Sequence, residues 1–341
     1  MTSPVVCFGE IMLRLNPPGH QRIVQTESFE ASFAGGEANV AVGLACLGVD
    51  TSLVTTVPAT LMGDAAVNAV RRYGVAVDHV RRAPGRLGVY YVEKGASQRA
   101  STVLYDRADS AIAKADPAAY DWPEILAGAA WLHLTGITPA LSPQAAQACL
   151  DAARTAAGHG IPVSLDLNYR SRLWSREQAR DTLTSLMASV SVCIANEEDA
   201  KDVFGIEASD TDVTSGRISQ NGYVQVAREL AERFSLERVA ITLRGSISAS
   251  ENTWSGLLYT AGTAHFAPTY EISIIDRIGG GDSFAAGLIY SLLAGRDNDA
   301  AIRFAVAASA LKHSIEHDFN LVTPAEVDVL VAGDSSGRVR R

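Results

Sequence analysis

Short apolar runs alternate with amphipathic or alanine-rich segments through most of the chain, and this alternation limits the possible folds more than any other feature. The runs have the length and composition of buried strands, and the segments between them have the apolar spacing of helices. Strands that alternate with helices are typical of a mostly parallel sheet covered on both faces, so we predict an α/β fold. The predicted strands are residues 5–9, 51–57, 130–134, 163–168, 190–195 and 239–243, and the predicted helices are residues 39–47, 65–73, 143–157, 176–187, 224–234 and 284–293.

Two stretches, residues 11–34 and 86–108, alternate apolar and polar residues without helices between them. The second stretch contains a predicted hairpin with strands at 89–93 and 102–105. We predict that both stretches form a small β lid that projects from the α/β body. The remaining assignments are a main domain at 1–10, 35–85 and 109–332, a polar surface insertion at 207–222 and a frayed basic tail at 333–341.

Composition and charge exclude several classes of protein. A net charge of −9 argues against nucleic acid and anionic membranes as partners. The chain has no apolar stretch long enough to cross a bilayer, and its start lacks the basic segment of a secretory signal. The four cysteines are far apart and have no metal-ligand spacing, which predicts reduced thiols in or near the core and a cytoplasmic location; they are Cys7, Cys46, Cys149 and Cys193.

A glycine-rich turn at residues 276–287 carries the strongest functional signal. Gly279, Gly280 and Gly281 allow the backbone to approach a ligand closely, and the helix predicted after them offers free N–H groups to an anion. Asp282 would repel a phosphate, so its position there needs another explanation. It is either the general base that takes a proton from an attacking hydroxyl, or an ordinary helix N-cap.

Other nucleotide-binding and metal-binding patterns are missing from the sequence. No G-x-x-x-x-G-K-[ST] occurs, and no G-x-G-x-x-G follows the first predicted strand. His133 stands alone in an apolar strand, which predicts a core residue. No His-x-x-x-His or acidic pair suggests a dedicated metal site.

Three motifs together resemble the ribokinase-like, or PfkB-type, sugar kinases. The front motif, residues 33–41, places Gly35 and Gly36 shortly before Asn39, and the rear motif is the glycine-rich turn. Between them, residues 196–199 match the family's Asn-x-x-Glu, with Asp199 in place of the glutamate. The resemblance covers nearly the whole chain. It implies a three-layer α/β/α fold with a mostly parallel central sheet and a small β-sheet lid, and it implies ATP and Mg²⁺ as cofactors.

Within this family the sequence is most similar to 2-keto-3-deoxygluconate kinases. The similarity lies in Tyr90 and in residues 104–111, 134–142 and 166–170, and residues 311–320 fit a bacterial branch of the group. It implies phosphorylation of the terminal hydroxyl of this sugar acid, with ADP as the other product and Asp282 as the base. The implied substrate-binding residues are Gly35, Gly36, Asn39, Tyr90, Tyr105, Arg107, Ile137, Arg170 and Asp318. The implied ATP-binding residues are Asn168, Asn196, Leu243, Arg244, Gly245, Ser246, Gly279 and Gly281, with Asp199 near Mg²⁺ through water.

Two arginines support an acidic substrate on chemical grounds. Tyr105 and Arg107 are two residues apart in a predicted strand, so both point to one face. Arg170 follows another strand at the sheet edge where ligands bind. Two guanidinium groups suit a planar carboxylate, which a neutral sugar lacks. Alternatively, Arg107 forms a surface salt bridge on the lid, Arg170 forms a structural ion pair, and Tyr90 and Tyr105 only pack within the hairpin.

Several positions depart from the family pattern. Arg277 stands where Thr, Pro or Ser is usual, which leaves the monovalent-cation site of some relatives open here, and Ser248 replaces a glycine of a nucleotide-binding turn. His317 stands where relatives often have glycine. Two alternative functions stay open: a PfkB-type kinase for a neutral sugar or nucleoside, and a catalytically weak sugar-acid or nucleotide sensor on this scaffold.

The lid also predicts an oligomer. An isolated antiparallel hairpin cannot bury both of its faces, and an exposed apolar edge favours pairing with another chain. Val89, Tyr91, Val103 and Leu104 offer apolar surface to a second lid. The family resemblance points the same way, so we expect a homodimer or a larger even-numbered oligomer.

Overall fold

The protein is described here by a computed structural model that covers residues 3–207 and 220–334. Most of the predicted surface insertion and most of the predicted frayed tail lie outside these described residues. Within them, no helix is long and apolar enough to cross a membrane.

The strands alternate with helices as the sequence predicts. In chain order the strands are β1 Val5–Phe8, β2 Met12–Asn16, β3 Glu30–Ala34, β4 Thr51–Pro58, β5 Val80–Ala83, β6 Val89–Glu93, β7 Thr102–Asp106, β8 Trp131–Thr135, β9 Val163–Asp166, β10 Val192–Ala195, β11 Arg238–Ser246, β12 Glu251–Thr260, β13 Thr263–Phe266 and β14 Tyr270–Ser273. The helices are α1 Gly36–Cys46, α2 Leu61–Arg71, α3 Trp122–Ile125, α4 Pro143–Gly158, α5 Arg176–Met187, α6 Glu197–Phe204, α7 Gln220–Phe234, α8 Gly280–Leu293, α9 Asn298–Lys312 and α10 Pro324–Val331.

The central sheet has the strand order β13-β12-β11-β10-β9-β8-β1-β4-β5, and β14 pairs with β12. In this spatial order, the neighbouring strands β11, β10, β9, β8, β1, β4 and β5 run parallel to one another. Strands β12, β13 and β14 pair antiparallel at the β11 edge of the sheet. All six predicted strands are present. The prediction missed β5 and the antiparallel edge.

Alternate residues of the central strands enter two different apolar clusters, which shows that helices cover both faces of the sheet. In β1, Val6 and Phe8 join a cluster with residues of α4, α5 and α7. Val5 and Cys7 join a second cluster with residues of α1, α2, α8 and α9. Because the side chains of a strand alternate between its faces, the two clusters lie on opposite sides of one sheet. The predicted three-layer α/β/α fold is confirmed.

A second, four-stranded sheet has the order β3-β2-β6-β7, with β2 and β6 parallel. The predicted hairpin forms its outer half, because β6 and β7 pair antiparallel. Val89, Tyr91 and Leu104 share one face, since Tyr91 is paired with Leu104. The expectation that Val103 joins this apolar face is wrong. Val103 is paired with buried Val92 on the other face and packs against the body, because neighbouring residues of a strand point in opposite directions.

The cysteines and His133 lie in or near the core, as the sequence predicts. All four cysteines are free, and three of them are buried while Cys46 is half-buried. His133 is buried beside the Ser164 hydroxyl, 2.9 Å from its Nδ1. Burial lowers the pKa of His133 to about 3, so the imidazole is neutral at physiological pH.

Candidate active site

A cleft of about 390 Å³ lies at the carboxyl ends of the central strands, between the small sheet and the first turn of α8. This is the edge at which open parallel sheets bind ligands. Of the predicted site residues, Leu243, Gly245 and Ser246 do not line the cleft. Those that do are Gly35, Gly36, Asn39, Tyr90, Tyr105, Arg107, Ile137, Asn168, Arg170, Asn196, Asp199, Arg244, Gly279, Gly280, Gly281, Asp282 and Asp318.

Asp282 lies in the first turn of α8, which begins four residues earlier than predicted. The N-cap of this helix is Gly279, so the alternative assignment of Asp282 as the N-cap is wrong. The Asp282 side chain instead accepts a hydrogen bond of 2.6 Å from Nδ2 of Asn39. Burial raises the pKa of Asp282 to about 7, opposed by the Asn39 hydrogen bond and supported by the nearby charges of Asp318 and Glu37.

The turn before α8 requires glycine at its first position. Gly279 has φ of 85°, and a Cβ atom there would lie 2.1 Å from the backbone oxygen of Asp318. The turn can therefore sit directly against the segment that carries Asp318. The first N–H groups of α8 have no acceptor within the helix, and with the helix dipole they form a site for an anion.

Arg14, in strand β2 of the small sheet, forms ion pairs with two carboxylates of the α/β body, Asp276 and Asp318. Arg14 is not among the site residues predicted from the sequence. Its side chain is fully buried and lies 2.5 Å from carboxylate oxygens of Asp276 and of Asp318. The Tyr90 hydroxyl donates to the other oxygen of Asp318 across 2.8 Å. The sequence pattern gave no signal for it, because Arg14 and Asn16 alternate with leucines in β2, which predicts a solvent-facing arginine, whereas Arg14 is buried.

Arg107 is buried at the cleft and forms an ion pair with Glu10. Its Nε and Nη2 donate to one Glu10 oxygen across 2.8 and 2.5 Å. The alternative prediction, that Arg107 forms a salt bridge on the lid surface, is therefore wrong, because the ion pair that Arg107 forms is buried. The other oxygen of Glu10 is buried without a hydrogen-bond partner among the described residues, and Glu10 lines the cleft. Sequence reasoning did not single out Glu10.

Arg170 differs from Arg107 in being exposed at the cleft rim. Its Nη1 donates to the backbone oxygen of Tyr169 across 2.9 Å. Within the described part of the chain it forms no ion pair, so the alternative of a structural ion pair is wrong. Tyr90 and Tyr105 stack on one another, with ring centroids 5.8 Å apart, and both also line the cleft.

Two further carboxylates, Asp166 and Asp199, line the same cleft. Burial raises the pKa of Asp166 well above its usual range, and the charges of Asp199 and Asp282 raise it further. Burial also raises the pKa of Asp199 to about 6. Asn196 caps α6 by accepting from the backbone N–H of Asp199 across 2.8 Å. Among the described residues no group of three or more metal-ligating side chains occurs.

The predicted nucleotide-binding turn is part of a strand up to Ser246, because β11 continues to that residue and pairs with β12. Arg244 lies over the ring of Trp254, 5.8 Å from its centroid, and faces the cleft. The turn itself follows, and the Ser248 hydroxyl accepts from the backbone N–H groups of Ser250 and Glu251. His317 has φ of 63°, the left-handed conformation in which glycine is usual.

The pfkB family carbohydrate kinase model matches residues 2–315 of the chain. The chain belongs to this family. The PfkB assignment agrees with the glycine turn, the lid and the strand-edge cleft, and it identifies the protein as a carbohydrate kinase.

Similar proteins share this PfkB fold along their whole length. A 2-dehydro-3-deoxygalactonokinase of Haloferax volcanii is 35% identical over 340 residues, covering 99% of each chain. A 2-dehydro-3-deoxygluconokinase of Thermoproteus tenax is 29% identical, covering 96% of this chain and 94% of the relative. The crystal structure of a Thermotoga maritima 2-dehydro-3-deoxygluconokinase superposes with a TM-score of 0.94 at 46% identity, covering 97% of this chain and 100% of the other.

Proposed function

We propose that this kinase transfers the γ-phosphoryl group of ATP to the terminal hydroxyl of 2-keto-3-deoxygluconate. The observation that carries the proposal is Asp282, a buried carboxylate with a pKa of about 7 at the start of the helix that forms the anion site. A base with a pKa near the working pH accepts a proton efficiently and is still ionised in a substantial fraction of the molecules.

In the proposed reaction Asp282 takes the proton of the sugar hydroxyl as that oxygen attacks the phosphoryl group. The Asn39 amide donates to the same carboxylate and so fixes its orientation. The N–H groups of Gly279 and Gly281 stabilise the negative charge on the transferring phosphoryl oxygens. The N–H of Gly280 donates to the Arg277 backbone oxygen across 3.4 Å and would contribute only if this long bond opened.

An acidic substrate is favoured by the charge balance of the two cleft arginines. Arg107 is largely neutralised by its ion pair with Glu10. Arg170 forms no ion pair in the described chain, and its charge acts only at longer range on the cleft carboxylates, where it lowers their pKa values. Arg170 therefore supplies most of the attraction for a sugar carboxylate, and Arg107 supplies a further donor. The unpartnered oxygen of Glu10 is suited to accept a hydrogen bond from a sugar hydroxyl.

The proposed cofactor is ATP with Mg²⁺. Asp166 and Asp199 suit a cation that is also held by phosphates and water, because each has a raised pKa and a bound cation would stabilise its ionised form. Asn168, Asn196 and Arg244 line the same cleft as the glycine turn, so we expect them to contact the nucleotide. The use of ATP, together with the free cysteines, favours the cytoplasm as the site of action.

The choice of gluconate over its galactonate epimer rests on the 46% identity to the Thermotoga maritima enzyme. An ADP-release assay over a panel of sugar acids and neutral sugars tests it, with ATP and Mg²⁺ present. We expect the highest kcat/KM for 2-keto-3-deoxygluconate. A preference for the galactonate epimer would correct the substrate alone, whereas a preference for fructose or a nucleoside would overturn the acidic-substrate proposal. Slow turnover of every acid beside tight binding would favour a sensor.

We also propose that two lids pack together in a homodimer. The outer lid face carries Leu104, which is 44% exposed, together with half-buried Val89 and Tyr91. Phe29 extends this surface and contacts Tyr91 edge to face. Packing against a second copy would bury a surface that is costly to leave in water.

A further inference from the structure

Lys312, at the end of α9, is fully buried behind the glycine turn. Its Nζ donates to the backbone oxygen of Ile315 across 3.1 Å and approaches that of Asp276 at 3.5 Å. Within the described chain no carboxylate lies within ion-pair distance of this ammonium group. A buried lysine that is held by carbonyl oxygens instead of a carboxylate is unusual and needs an explanation.

The two carbonyl groups belong to the two segments that form the phosphoryl end of the cleft. Asp276 precedes the glycine turn, and Ile315 precedes the segment that carries Asp318. Further contacts join the same segments: the backbone N–H of Ile275 donates to the His313 oxygen across 2.8 Å, and the Ser309 hydroxyl donates to the Gly280 oxygen across 2.6 Å. Lys312 therefore fixes the turn at the point where its backbone must face the phosphoryl group.

A monovalent cation bound by carbonyl oxygens would perform the same task, and some PfkB relatives have a site for one. The residues here do not fit such an ion. The ammonium already contacts the backbone oxygens of Asp276 and Ile315. The Asp276 carboxylate, which could attract an ion, is already paired with Arg14 and Lys94. A further cation at these backbone oxygens would meet repulsion from the Lys312 ammonium.

We propose that Lys312 is a positioning residue that replaces a monovalent cation, so that phosphoryl transfer by this kinase does not require potassium. An ammonium group and a potassium ion have the same charge and nearly the same size, so each can be held by carbonyl oxygens. Unlike a bound ion, the lysine ammonium cannot dissociate, so the site formed by the carbonyl oxygens is always filled. This inference rests on the proposed role of the glycine turn but not on the identity of the sugar.

Two substitutions at this position separate the charge from the space it fills. Lys312→Ala removes the charge and leaves room for an ion, whereas Lys312→Met removes the charge and fills the room. We expect wild-type kcat to differ by less than about twofold between potassium and choline chloride, and kcat of Lys312→Ala in choline to fall about tenfold or more. Potassium or ethylammonium should restore Lys312→Ala but not Lys312→Met. Lys114→Ala, at an exposed lysine, is the matched control.

Nucleotide binding provides a readout that does not depend on the sugar. Calorimetric titration with an unreactive ATP analogue should give a potassium-dependent Kd for Lys312→Ala only, and rubidium soaked into crystals should bind beside Asp276 in that variant only. Potassium activation of the wild type, or a folded Lys312→Ala variant with full activity in choline, would overturn the proposal. If Lys312→Ala does not fold, two measurements on the wild type still test the proposal. Its kcat should not depend on potassium, and rubidium should not bind beside Asp276 in its crystals. A different preferred sugar would overturn only the proposed substrate.

Discussion

Asn39 at the start of α1 donates a hydrogen bond to the Asp282 carboxylate at the start of α8, across 2.6 Å. This bond favours the ionised carboxylate, whereas burial favours the neutral acid. The two opposed effects leave the pKa of Asp282 at about 7. The contact also explains why the front and rear motifs, which are far apart in the sequence, form one site.

Replacing Asp282 with Asn should abolish most of the turnover. The amide keeps the shape of the side chain but cannot accept the proton, so kcat should fall by a factor of about 10² or more while ATP still binds. Steady-state kinetics and calorimetric titration with ATP measure the two effects. Near-normal turnover by this variant would exclude Asp282 as the base.

Replacing Asn39 with Ala should move the acidic limb of the pH–rate profile. Loss of the hydrogen bond raises the pKa of Asp282 further, so a larger fraction of the base is protonated at a given pH. The apparent pKa of kcat/KM should rise by about one unit, and activity should fall more at pH 6 than at pH 8. The matched control is Asn68→Ala on the exposed face of α2. An unshifted limb would show that Asn39 does not tune this carboxylate.

Replacing Arg170 with Ala should weaken binding of the sugar acid more than it slows the chemical step. The exposed guanidinium acts on a carboxylate remote from the reacting hydroxyl, so KM should rise about tenfold or more with a smaller change in kcat. Arg176→Ala serves as the control, because Arg176 pairs with Asp202 at the surface. Equal KM values for Arg170→Ala and the wild type would remove the main support for carboxylate recognition.

Replacing Arg14 with Met should destabilise the fold strongly. Two buried carboxylates would lose their partner, so the free energy of unfolding should fall by about 3–5 kcal/mol. Arg22→Met is a suitable comparison, because Arg22 is 61% exposed in its ion pair with Glu93 and should contribute less than about 1 kcal/mol. Urea denaturation measures both. Similar stability losses in the two variants would contradict the proposed importance of the buried pair.

Replacing Leu104 with Glu should convert the proposed dimer to a monomer. A charge on the outer lid face would have to be buried against the second lid, which is unfavourable. Leu61→Glu is the control, because Leu61 is 85% exposed on α2 and is not part of the four-stranded lid sheet. Sedimentation equilibrium at micromolar concentration distinguishes the species. A monomeric and fully active wild type would remove the dimer proposal and leave the catalytic one unchanged.

The sequence predicted the parts of the fold that depend on local pattern. Buried apolar strands such as β1 and β9, and helices such as α5, have periodic patterns that require no knowledge of the rest of the chain. The start of α8 was placed too late because glycine disfavours helix formation in isolation. In the folded protein, Gly280 accepts a hydrogen bond from Ser309 and packs against His313, so tertiary contacts override that preference.

The parts of the site that were missed depend on pairs that are distant in the sequence. Arg14 is 262 and 304 residues from its two carboxylate partners, and Arg107 is 97 residues from Glu10. No local pattern specifies such pairs. Lys312 lies within residues 311–320, which fit a bacterial branch of the family, but its sequence context gives no sign that its charge is held by backbone oxygens.

Arg14 belongs to strand β2 of the lid, yet its guanidinium lies between two carboxylates of the body. Separating this inner strand from the body would unpair three buried charges, at a cost of about 3–5 kcal/mol. Such a state would be populated at about 1% or less. We therefore expect the sugar to enter at β7, the edge strand opposite β3, most of whose residues are exposed. The expected opening is a movement of the hairpin edge, while the inner half of the lid remains fixed to the kinase body.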